Sequence, residues 1–73
     1  MQVSARFHMR LGHSITFRSD AEDGVSLAQL ADELRDVLAG NEGPYLRVDN
    51  VLIRVEDIVY VSLEQARQLP KGI

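Results

Sequence analysis

The chain has no cysteine and no tryptophan, and its aromatic residues are two tyrosines and two phenylalanines. Without Cys there is no disulfide, no thiolate metal ligand and no thiol nucleophile, and nothing points to an oxidising compartment, so the expected location is the cytoplasm. Long apolar runs are missing as well. The longest, Ile58 to Val61, spans four residues, where a membrane-crossing helix needs about twenty. The start, Met1-Gln2-Val3-Ser4, lacks the basic and apolar pattern of a signal peptide. Lysine occurs once against seven arginines, and eleven acids outnumber eight bases to leave a net charge of −3. That balance argues against a general nucleic-acid binder.

What is present is 73 residues, 45% apolar and 26% charged, enough for one small domain. A chain of this size buries only about 60% of its unfolded surface, so its stability margin is thin without a staple or a partner. Charge is distributed unevenly. Residues 1 to 18 hold Arg6, Arg10, Arg18 and both histidines with no acid, and the remainder carries five bases and all eleven acids.

Val3, Ala5, Phe7 and Met9 alternate with Ser4, Arg6, His8 and Arg10, the period of a half-buried strand. Ile15 and Phe17 continue the alternation after Leu11-Gly12-His13, which predicts a hairpin. A three-residue loop would pair Met9 with Ile15, Phe7 with Phe17 and Arg6 with Arg18. After an acidic loop, Ser26 and Gln29 form a capping box, with Val25 and Leu30 as its hydrophobic staple. Leu27, Leu30, Ala31, Leu34, Val37 and Leu38 then follow helical spacing up to Gly40. The opposite helix face is Gln29, Asp32, Glu33 and Asp36. Tyr45 to Val48 and Val51 to Arg54 flank Asp49-Asn50, a second tight hairpin. Ile58 to Leu63 is apolar on both sides, the signature of a strand in the middle of a sheet.

The expected architecture is α+β, in the order ββαβββ, with a single amphipathic helix on one face of a small antiparallel or mixed sheet. Residues 1–64 form the domain, and 65–73, interrupted by Pro70 and Gly72, a turn or loose tail. The segment from Leu46-Arg47-Val48 through Ile58-Val59-Tyr60-Val61 resembles the terminal hairpin of many short bacterial and phage proteins. That resemblance brings no catalytic motif with it.

No phosphate-binding glycine loop, nucleophile elbow or paired helical histidines occur in the sequence. His8 and His13 have no carboxylate nearby in sequence to complete a metal site. Asp20, Glu22 and Asp23 lack the ligand spacing of a calcium loop, and Asp32, Glu33 and Asp36 read as the solvent side of the helix. The expectation is therefore a non-catalytic protein with no cofactor and no metal.

One constellation remains. On the side away from the helix, the strands would present Arg6, His8, Arg10, Thr16, Arg18, Tyr45, Arg47, Leu52, Arg54, Tyr60 and Ser62, five arginines with no acid. The binding residues this singles out are Arg6, His8, Arg18, Tyr45, Arg47, Arg54 and Tyr60. The reading that follows is a protein-protein interaction module, homodimeric through the open sheet face or an edge strand, or meeting an acidic protein partner. The alternative is a nucleic-acid module with arginines on phosphates and tyrosines on bases.

Overall fold

A computed structural model describes residues 1–65. The elements are β1 (Gln2–Met9), β2 (Ser14–Asp20), α1 (Leu27–Ala39), β3 (Tyr45–Val48), β4 (Val51–Arg54), a 3-10 turn (Val55–Asp57) and β5 (Ile58–Gln65). This is the α+β, ββαβββ order that the hydrophobic periods predict. The tail expected over 65–73 lies outside the described residues, except for Gln65, which belongs to β5.

The strands do not form one sheet. β2, β1 and β5 make a three-stranded antiparallel sheet in that order, and β3 and β4 form a separate antiparallel pair. The expectation that β5 is central is therefore corrected: β1 is the middle strand and β5 an edge. β1 earns that place by burying Val3, Phe7 and Met9. The apolar residues of β5 have separate uses. Val61 and Leu63 sit across from Phe7 and Ala5 on the core side. Tyr60 stacks on His8 on the other side, and Val59 falls where the β1–β5 register shifts and is 63% exposed.

The register of the first hairpin also differs from expectation, by two residues. The three-residue loop is Arg10-Leu11-Gly12, closed by Met9 N–H donating to His13 O at 2.9 Å, with Gly12 at φ 95°. Phe7 faces Ile15, Ala5 faces Phe17, Arg6 faces Thr16 and Ser4 faces Arg18. A slip of two leaves every side chain on its own face, so alternation cannot distinguish the two registers. Phe7 and Phe17 still meet, as diagonal neighbours edge-to-face with centroids 5.6 Å apart.

Ser26 caps α1 as the capping box predicts. Its Oγ accepts from Gln29 N at 3.1 Å, and its own N–H donates to Gln29 Oε1 at 2.9 Å. The helix shares the core side of the large sheet with the β3–β4 hairpin. Phe7, Met9, Leu46 and Ile53 form the buried cluster, with Leu34, Leu38, Val48, Val51 and Val61 packed around it. Leu46 across from Ile53 and Val48 across from Val51 match the expected hairpin faces, and its tight turn places Asp49 at φ 52°.

The helix is incompletely covered. None of its residues is buried: Leu27, Leu30, Leu34 and Leu38 are only half-buried, and Val37 is 53% exposed. No helix among the described residues is long and apolar enough to cross a membrane.

Candidate functional site

The side of the three-stranded sheet away from the core is a grid set by two registers. Its rows, read β2 to β1 to β5, are Ser14, His8, Tyr60, then Thr16, Arg6, Ser62, then Arg18, Ser4, Glu64. Arg6 is the centre, with hydroxyls on both sides. Its Nε donates to Thr16 Oγ1 at 3.3 Å. His8 lies flat on Tyr60, ring centroids 3.9 Å apart and planes 12° apart, and His8 Nε2 is 3.0 Å from Ser62 Oγ. Ser4, Arg6, Thr16, Arg18, Ser62 and Glu64 line a hollow of about 220 Å³.

The seven residues singled out from the sequence do not share this face. Arg6, His8, Arg18 and Tyr60 do, whereas Tyr45, Arg47 and Arg54 lie on the separate β3–β4 pair, where Tyr45 faces Arg54 and Arg47 faces Leu52. The expectation of an acid-free surface with five arginines is corrected accordingly. Arg54 is ion-paired with Glu56, Arg10 Nη2 donates to Glu56 O at 2.9 Å, and Arg47 Nε donates to Asp49 O at 2.9 Å. Glu64 joins the grid because β5 runs two residues past Leu63. Counting onward by two from Tyr60 and Ser62 would have found it.

The His8–Ser62 contact has the separation of a base and a nucleophile. A working triad also needs a third group to hold the imidazole, and here the ring is held by stacking on Tyr60 instead. Among the described residues no three His, Asp or Glu side chains gather closely enough to hold a metal ion.

A second feature lies on the core side, beyond the edge of β5 that pairs with no other strand among the described residues. An apolar groove of about 630 Å³ runs between α1 and β5, floored by Ile58, Val61 and Leu63 and walled by Leu27, Ala31 and Leu38. The sequence missed it because an amphipathic stripe predicts a covered helix, and only the structure shows that the stripe is half bare. The two edges of the sheet differ. β2 is polar and charged along its edge, with Arg18, Ser19 and Asp20 all exposed, whereas β5 carries no charge between Ile58 and Leu63. Charge is the usual protection of an exposed edge against pairing, and β5 has none before Glu64.

Comparison with protein-family models, with curated proteins and with solved structures finds no match.

Proposed function

We propose that the chain is a non-catalytic protein-protein interaction module that self-associates through the free edge of β5 and the groove beside it. The observation that supports this reading most strongly is the coincidence of two unfinished features: a strand edge that pairs with no other described strand and carries no charge from Ile58 to Leu63, and a helix whose leucines are half-covered, side by side along one groove.

A second copy fits both. Two identical edge strands pair antiparallel about a two-fold axis, an isologous contact that closes on itself. Residues directly opposite in such a pair share a face, so the axis must pass through a residue and not between two. Centred on Ser62, the pairing spans Tyr60 to Glu64 and stays clear of the irregularity at Val59. It sets Val61 of one copy against Leu63 of the other on the groove side. On the polar side it sets Tyr60 against Glu64, keeping the two Glu64 carboxylates at opposite ends. An axis perpendicular to the sheet leaves both helices on the same side, as the two walls of one groove floored by both β5 strands.

Nucleic-acid binding has less support, because the arginines and tyrosines it would use are divided between two sheets. The test is the mass in sedimentation equilibrium. The wild type should be a dimer at micromolar concentration, and Val59→Lys, which puts a charge into the apolar groove at the end of the paired segment, should be a folded monomer. Leu11→Lys, in the exposed β1–β2 loop outside both the groove and the paired segment, should remain a dimer. A wild type that stays monomeric up to millimolar concentration would overturn the proposal.

A further inference from the structure

From the grid around Arg6 we infer a binding site for a single phosphate group carried by a small phosphomonoester. The inference stands on the β2–β1–β5 register, and its two arginines lie on β1 and β2, away from the β5 edge that the proposed self-association pairs. Among the described residues, every other arginine has a carbonyl or carboxylate acceptor: Arg10 on Glu56, Arg35 on Asp32 and Asp36, Arg47 on Asp49, Arg54 on Glu56. Among the same residues Arg6 has only the Thr16 hydroxyl, and Arg18 has no side-chain hydrogen bond or ion pair. These two guanidinium groups are diagonal neighbours over one hollow. Like charges so placed repel, and an anion between them removes the repulsion.

The remaining lining supplies what a tetrahedral oxyanion needs. Ser4, Thr16 and Ser62 bring three hydroxyl donors to the same hollow, and guanidinium is the side chain best shaped for paired hydrogen bonds to phosphate. The volume of about 220 Å³ is that of about seven waters at ~30 Å³ each, enough for a phosphate and the start of what it is attached to. Size and charge both limit the ligand. The positive region stops at Asp20 on one side and Glu64 on the other, so no basic track continues for a polymer backbone. Tyr60, in the row beyond Ser62, borders the site where an ester group would leave it. Glu64 opposes the anion from the rim and tempers affinity.

The experiment is an amide chemical-shift titration of the full chain with inorganic phosphate, phenyl phosphate, a short oligothymidylate and, at matched ionic strength, chloride. Phosphate and phenyl phosphate should give saturable shifts at Ser4, Arg6, Thr16 and Arg18. Phenyl phosphate should bind tighter and move Tyr60 as well. Arg6→Gln should weaken phosphate binding about tenfold, the value of one charge-assisted contact, and Glu64→Gln should tighten it. Both positions are exposed, so an unchanged spectrum elsewhere establishes that the variants fold. Equal affinity for phosphate and phenyl phosphate would overturn the ester part of the inference. Equal shifts with chloride, indifference to Arg6→Gln, or tighter oligothymidylate binding that also engages Arg47 and Arg54 would overturn the site as proposed.

Discussion

The His8 imidazole lies face to face with the Tyr60 ring across the β1–β5 pair, 3.9 Å between centroids, while its Nε2 reaches Ser62 Oγ at 3.0 Å. One side chain thus fastens the edge strand to the central strand at two successive outward positions of β5. His13, in the loop before β2, has no such neighbour among the described residues. In the proton NMR spectrum, the ring current of Tyr60 should move the His8 ring protons upfield of those of His13. Tyr60→Leu should abolish the difference and cost about 0.5–1 kcal/mol. Histidine resonances that coincide in the wild type would show that the two rings do not stack.

The capping box of α1 gives a second prediction. Ser26 and Gln29 satisfy each other's backbone amides, and the helix N-terminus they hold receives little help from packing, since no residue of α1 is buried. Ser26→Ala should lower stability by about 1 kcal/mol in urea denaturation, and Gln29→Ala should cost less. A midpoint unchanged by Ser26→Ala would contradict the cap.

Burial ranks the core. Ile53 is 1% exposed and contacts the Phe7–Met9–Leu46 cluster, whereas Leu34 is half-buried at its margin. Ile53→Ala should cost about 4 kcal/mol and Leu34→Ala about 2 kcal/mol or less, because truncation at a half-open site loses less transfer energy and leaves less cavity. Calorimetry in which Leu34→Ala is the more damaging change would place the centre of the fold under the helix instead of under the hairpin.

These energetics explain which parts of the fold were legible in the sequence. The helix was, because its cap, staple and apolar stripe are all local. Faces were legible too, since period-two alternation fixes them: Phe7, Leu46 and Ile53 all point where their spacing says. Register was not, because pairing Arg6 with Thr16 instead of Arg18 leaves the hydrophobic pattern unchanged. Nor was the rank of β5 within its sheet. Its double-sided apolar character, read as burial between two strands, divides among the core, the stack on His8 and an exposed groove. The candidate site is half visible: Arg6, His8, Arg18 and Tyr60 come together as alternation predicts, while Tyr45, Arg47 and Arg54 would share that surface only if all five strands belonged to one sheet.

The central claim is that two copies meet along β5, and the most direct measurement is an isotope-filtered nuclear Overhauser experiment on an equimolar mixture of carbon-13-labelled and unlabelled chains. The account predicts intermolecular cross-peaks between the methyl groups of Val61 of one copy and those of Leu63 of the other, which the isotope filter separates from contacts within one strand. In Val59→Lys the same cross-peaks should vanish while the intramolecular contacts among Phe7, Leu46 and Ile53 persist. A mixture with no intermolecular peaks at millimolar concentration, or with peaks only from the edge of β2, would contradict it.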